Sequence, residues 1–223
     1  MNIKSSITML ALCLALTSVA QANSTASDQE KLDFIASNFN TNATHSRYWQ
    51  NGWLTLFSGS ALVHAGIWDQ TGSQKERFNA KVTVITSTLG AADMLINPMK
   101  SHKYAEQLSD ANVSLSQAES WLEAAAKRER YERSLTNHLL SGLVNSLAGL
   151  AVAKDSDSNS DGVMTFLSGM IATEIKIFTS PTRMTEAWQA YQQGNLSSLA
   201  DQSSKSRWFV TASGPVLQVQ YQF

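Results

Sequence analysis

Residues 47–68 read RYWQNGWLTLFSGSALVHAGIW, and residues 130–151 read RYERSLTNHLLSGLVNSLAGLA. The second stretch lies 83 positions after the first and aligns with it without a gap. Arg47-Tyr48 falls on Arg130-Tyr131, Leu56 on Leu139, Ser58-Gly59 on Ser141-Gly142, and Ala65-Gly66 on Ala148-Gly149. Carried further, the same register pairs Ser73 with Ser156 and Pro98 with Pro181. Phe57 with Leu140, Ile67 with Leu150, Leu95 with Phe178 and Lys100 with Arg183 are conservative pairs between them. Only nine of the 54 positions from 47 to 100 are identical, so the weight lies in the gapless register and the coincidence of two of three prolines. Self-similarity at a fixed period marks a duplicated supersecondary unit. The reading is two helical-hairpin repeats, about residues 47–108 and 130–193, related by a pseudo-twofold axis.

Period and punctuation supply the elements. Residues 47–68, 77–96, 131–153 and 163–179 are apolar-rich, free of internal proline and long enough for helices. Asn97-Pro98 and Ser180-Pro181 each join an N-cap residue to a proline whose missing N–H costs nothing at N1, so each predicts a helix start. The first of these helices should run to about Leu108 and the second to Gln193, with Gly194 taking the left-handed C′ position. Ser116-x-x-Glu119 predicts a capping box opening a charged amphipathic helix that continues unbroken through Ala153. Ser27-x-x-Glu30 predicts a similar start, followed by a looser stretch over residues 40–46.

Gly52, Gly59 and Gly66 recur every seven residues, as do Gly142 and Gly149, which keeps each set near one helical face. A helical glycine costs about 1 kcal/mol relative to alanine, so the spacing predicts faces that touch another helix closely. Residues 207–223 change character: Leu217, Val219, Tyr221 and Phe223 alternate with glutamines after Gly214-Pro215, which predicts a β-hairpin. The last eight or so residues resemble the C-terminal signal of bacterial outer-membrane barrels. Such barrels need about eight strands or more, which the helical body does not supply, so the hairpin reads as an appendage on helices or on a second subunit. The fold class expected is all-α, an internally duplicated helical bundle over residues 23–206 with a short C-terminal β-hairpin.

Residues 1–22 have the three parts of a secretory signal. Lys4 is the positive n-region, residues 7–16 are the apolar core, and Ala20-Gln21-Ala22 offers small residues for cleavage before Asn23. Export to the bacterial periplasm is the expectation. The single cysteine, Cys13, lies in this segment, with Leu12 too large to precede a lipidated cysteine. The mature chain is then cysteine-free, which excludes disulfides, thiolate nucleophiles and Cys-ligated metals.

Seventeen basic residues balance eighteen acidic ones, so no nucleic-acid surface is expected. Four apolar helices invite a four-span membrane reading. Against it, His64, Asp93, Asn145, Glu174 and Lys176 lie in or at the ends of those helices, and the apolar runs fall short of about 20 residues. A cleaved signal would also leave outside the connection carrying Lys100, Lys103, Lys127, Arg128, Arg130 and Arg133. The opposite loops hold only Lys75, Arg77, Lys81 and Lys154, which inverts the positive-inside bias. Trp49, Trp53 and Trp68, near the two ends of the first apolar helix, suit interfacial aromatics or large core residues equally.

Catalytic signatures are missing from the sequence: no H-E-x-x-H, G-x-S-x-G, Walker loop or dinucleotide fingerprint is present. His45, His64, His102 and His138 share no i, i+4 spacing and no repeat-equivalent positions, so no metal site is expected; His64 reads as a satisfied core histidine. Asp93, Glu174 and Lys176 would lie at one level if the repeats pack face to face, suiting an ion pair that closes the bundle end. Asp157-x-Asn159-x-Asp161-Gly162 matches six positions of an EF-hand loop, but Ser168 stands at position twelve, so a loop capping the next helix is the better reading. The functional expectation is an exported, non-enzymatic, envelope-associated protein with no catalytic residue, metal or cofactor. Its partners would be a membrane surface, a lipid-like ligand, or a second copy engaged through helix seams or the hairpin. A four-span membrane protein is the alternative, and a carboxylate enzyme ranks below it.

Overall fold

The computed structural model describes residues 26–110 and 112–196, together with the backbone of residues 207–213 and 216–222. The signal segment over residues 1–22 and the turn at Gly214-Pro215 lie outside the described residues. The chain folds as an all-α bundle: α1 (Asp28–Gln70), α2 (Gln74–Ile96), α3 (Ser101–Gln107), α4 (Leu115–Glu132), α5 (Leu135–Ser156), α6 (Asn159–Phe178) and α7 (Arg183–Gln192). After these, the backbones of β1 (Arg207–Ser213) and β2 (Val216–Gln222) run antiparallel, with Val210 opposite Val219.

Ser27 and Glu30 open α1 with a reciprocal capping box: Glu30 N donates to Ser27 Oγ at 3.2 Å, and Ser27 N donates to Glu30 Oε2 at 2.7 Å. The helix then runs for 43 residues, so the looser stretch expected over 40–46 is helical. Of the polar residues that suggested a loop, Asn42 and Ser46 are buried, as is Asn38 just before them. Asn38 Nδ2 donates to the Phe34 carbonyl, Asn42 Nδ2 donates to Glu129 Oε1, and Ser46 is closed off from water.

The second long helix, by contrast, is broken. α4 ends at Glu132, and Ser134 restarts the chain as the N-cap of α5, accepting from Asn137 N at 3.2 Å. Arg133 at the break turns its guanidinium onto the carbonyls of Phe178 (2.7 Å) and Ser180 (2.9 Å). The α4 start also differs from expectation, since the cap is Ser114, which accepts from Gln117 N, and Ser116 is helical. Neither proline occupies N1. α3 begins at Ser101 and α7 at Arg183, while Asn97 serves as the C-cap of α2. Gly194 takes φ +70 as expected, and Asn195 N closes the end of α7 on the Ala190 carbonyl at 2.9 Å.

Burial divides the bundle into two parts. The first half of α1 packs with α3, α4 and α7 around Phe34, Ile35, Phe39, Leu122 and Met184, and alanines 118, 125, 126 and 187 let the helices approach closely. This head has an ordinary apolar core. Two hairpins project from it: residues 50–70 of α1 against α2, and α5 against α6.

Candidate functional site

The hairpins are built inside out. Their seams hold small and polar groups. Ser87 Oγ donates to Ser60 Oγ at 3.0 Å between α1 and α2, and Asn145 Nδ2 donates to Thr173 Oγ1 at 3.3 Å between α5 and α6. Gly149 and Gly162 face each other so closely that a Cβ on either would lie 2.7 or 2.5 Å from the other's carbonyl oxygen. A Cβ on Gly90 would strike the Phe57 ring at 2.8 Å. The large aliphatic side chains point outward instead. Leu62 is 75 % exposed, Ile96 76 %, Leu135 72 % and Phe178 73 %. Val63, Ile85, Leu139, Leu143, Leu147, Leu150, Met164 and Ile171 are more than half exposed as well. A soluble monomer rarely exposes so large a continuous apolar surface.

Charge stops at both edges of this belt. No Asp, Glu, Lys or Arg lies between Arg47 and Asp69 on α1, between Lys81 and Asp93 on α2, between Arg133 and Lys154 on α5, or between Asp161 and Glu174 on α6. At 1.5 Å per residue the narrowest of these intervals, on α2, is about 18 Å tall. Aromatic side chains mark the edges. Tyr48, Trp53, Tyr131 and Phe178 stand at the head end, and Trp68 stands near the tips with the Lys81 ammonium 5.1 Å from its ring.

Ion pairs tie the two hairpins together at both edges. At the tips Lys75 meets Asp161 at 2.5 Å and holds its carboxyl below the ordinary range. At the head end Lys176, 83 residues after Asp93, reaches it at 3.3 Å and reaches the buried Glu132 at 2.6 Å. Glu132 also takes Arg128 at 2.7 Å. Arg128 Nε in turn donates to the Asn97 carbonyl at 2.6 Å, and Trp49 Nε1 donates to the Lys176 carbonyl at 3.0 Å. The structure thus unites two of the three charged residues singled out in the sequence, Asp93 and Lys176. It sends the third, Glu174, to His138 at 2.9 Å. Glu132 carries no sequence signal of burial, because it follows a run of charges that reads as a solvated face.

The other sequence features fall as follows. His64 Nδ1 bonds the Ser60 carbonyl one turn back at 2.9 Å, and His45 Nε2 bonds the Thr179 carbonyl at 3.0 Å. No group of three or more potential metal ligands occurs among the described residues. The EF-hand-like stretch is two helix ends. α5 continues through Ser156, Asp157 takes φ +50 as its C-cap, and Ser158 caps α6. Gly162 is buried against Ala153 and Gly149, where helix contact leaves no room for a side chain. The glycine stripe does not form the seam that its spacing predicts. Nothing lies within 4 Å of a Cβ built on Gly52, Gly59, Gly66 or Gly142, so of the five only Gly149 makes the close helix contact that their spacing predicts.

One buried acid in the head stands apart. Glu129 is 1 % exposed, accepts from Asn42 Nδ2 and Thr185 N at 3.0 Å each, and forms no ion pair among the described residues. Burial pushes its carboxyl up to about 7. Among the described residues no single helix is long and apolar enough to cross a membrane, although α6 and α7, bent by 41°, meet that test as a pair. No family model matches the chain, and comparison with curated proteins and with solved structures finds no match.

Proposed function

We propose that this is an exported, non-enzymatic membrane-associated protein whose two hairpins bury their outward apolar belt among lipid acyl chains while the head stays in water. The observation that carries the proposal is the inversion of polarity within the hairpins, with Ser60, Ser87, Asn145 and Thr173 in the seams and leucine, isoleucine and valine outside. Water gives no reason for that arrangement, whereas a lipid phase does. There, small residues let helices approach and seam hydroxyls and amides find partners, while aliphatic groups meet acyl chains. Aromatic edges and charges confined to the two rims fit the same surroundings. The closed ion-paired cluster around Glu132 favours a structural use of Asp93 and Lys176 over a catalytic one.

The duplication and the appended hairpin belong to the same proposal. The ion pair between Asp93 and Lys176, partners across the 83-residue shift, supports a pseudo-twofold running between them. His45 and Arg128, also 83 apart, each bond a carbonyl at a helix end in the other half, Thr179 and Asn97, which stand one position out of that register. Export through residues 1–22 to the periplasm rests on the three-part signal pattern.

The test is Leu62→Asp with Leu139→Asp. Both side chains point away from the bundle, so helical content and melting should stay as in the wild type, while co-sedimentation with phospholipid vesicles should be lost. Release of the wild-type protein from cells by osmotic shock without detergent, with no vesicle binding afterwards, would overturn the proposal.

A further inference from the structure

We propose that the head end of the belt recognises anionic phospholipid headgroups through a collar of four cations: Arg47, Lys100, Lys103 and Arg130. This rests on the lipid reading of the belt and adds the class of lipid.

Two anchoring contacts place the collar. Arg47 lies one turn before Gln50, whose side chain donates to the Met94 carbonyl at 2.6 Å and accepts from Met99 N at 2.8 Å. Arg47 and Lys100 therefore stand where the first hairpin enters the head. Arg130 lies one turn before Arg133, which clasps the Phe178 and Ser180 carbonyls, so it stands at the corresponding place on the second hairpin. Lys103 follows Lys100 by one turn, its N–H donating to the Lys100 carbonyl at 2.9 Å. Burial holds His102 below its ordinary range, and Lys103 and Arg47 add to this against the opposing pull of Glu106.

The four cations are exposed, and no carboxylate pairs with any of them among the described residues. Other cations at this level are engaged: Arg128 and Lys176 with Glu132, Lys127 with Glu123, and Arg133 with backbone carbonyls. The acids there are engaged too, Asp93 with Lys176 and Glu174 with His138. The exceptions are Glu106, whose charge acts on His102 beside Lys103, and Glu186, which shares a surface depression with Arg130 and Arg133. The opposite rim has no such excess. Lys75, Arg77, Lys81 and Lys154 there face Asp69, Glu76, Asp155, Asp157 and Asp161. The repeated dipeptide Arg47-Tyr48 and Arg130-Tyr131 thus puts an exposed cation next in sequence to an exposed ring at the belt edge of each hairpin, although the cation over the Tyr131 ring, at 5.9 Å, is Arg128. Arg47 itself lies 5.8 Å from the Tyr48 ring. Rings at that depth and cations just above them match the glycerol and phosphate layers of an anionic leaflet.

The experiment is vesicle flotation of the full chain on phosphatidylcholine alone and on phosphatidylcholine mixed with phosphatidylglycerol. Each cation near an anionic surface contributes about a fivefold gain in partitioning, so R47Q/R130Q should bind the mixed vesicles about 25-fold more weakly. Binding to phosphatidylcholine alone should be unchanged, R47K/R130K should behave as wild type, and added salt should erase the difference. Equal wild-type binding to both vesicles, or wild-type behaviour of R47Q/R130Q on the mixed ones, would overturn the collar and leave the belt reading intact. Failure to bind either vesicle, with sedimentation as a dimer or larger, would overturn both and give the belt to a second copy of the chain.

Discussion

Glu129 and Glu132 sit nearly one turn apart on α4, both shut off from water, and their surroundings treat them in opposite ways. Glu132 has two cations, Arg128 and Lys176, on its carboxylate. Glu129 has neutral donors, the Asn42 amide and the backbone N–H groups of Thr185 and Met184, and burial, with the like charge of Glu186 nearby, raises its carboxyl to about 7. The native state then keeps a proton that the unfolded chain releases above about pH 4.5. The resulting stability is full below that pH and is lost as pH rises through about 7, a change of roughly 3 kcal/mol at 1.36 kcal/mol per unit. Glu129→Gln holds the site neutral at every pH, with Asn42 turning its amide to accept from the new NH2 group. Denaturant midpoints of the two proteins should therefore agree at pH 4 and separate by pH 8, where the variant is the more stable. Parallel profiles would show that Glu129 does not titrate in this window. Neither glutamate's burial was legible in the sequence, where Lys127, Arg128 and Arg130 make the segment look like an exposed face.

At the scale of elements, four apolar helices were legible because each keeps an apolar run free of proline, and the Ser27 box and Gly194 stop follow directly from backbone hydrogen bonding. The breaks were not legible. Residues 40–46 read as loop because their amides and hydroxyls lack visible partners, and the partner of Asn42, Glu129, comes from 87 residues away. The break at Ser134 was hidden because the serine cap and the pull of Phe178 and Ser180 on Arg133 outweigh a continuous helical pattern. The glycines show the same division, since seven-residue spacing reveals a face but not what stands opposite it. Gly52→Ala and Gly59→Ala meet open space, so each should raise stability by about 1 kcal/mol through helix propensity alone. Gly149→Ala and Gly162→Ala drive a methyl into the facing backbone and should lower it by roughly 1–3 kcal/mol. Thermal melts of the four variants check this, and equal shifts across all four would mean that the α5–α6 seam is not tightly packed.

The whole molecule joins a head that has a core to hairpins that have seams, and the two should differ in how strongly water opens them. Around Ile35, Phe39, Leu122 and Met184 the head buries large apolar groups from four helices, the ordinary source of cooperative stability. In the hairpins, apart from Met94, Val152 and Ile177, the fully shielded apolar side chains are alanines, while the leucines of α5 face outward. The ion pairs at the tips and at Lys176 hold the hairpins together, but an exposed pair such as Lys75 with Asp161 contributes little in water. Hydrogen exchange in aqueous buffer should therefore leave α4 and α7 the most protected helices, with α2, α5 and α6 exchanging much faster. On anionic vesicles the order should change, because acyl chains would cover the belt and exclude water from its backbone. Protection should rise across residues 82–92 and 139–153, the stretches between the charged rims, and stay constant in α4 and α7. Uniform protection in buffer would show that the hairpins are already covered there, most simply by a second copy. A rise in the head alone would place the lipid contact on the wrong part of the molecule.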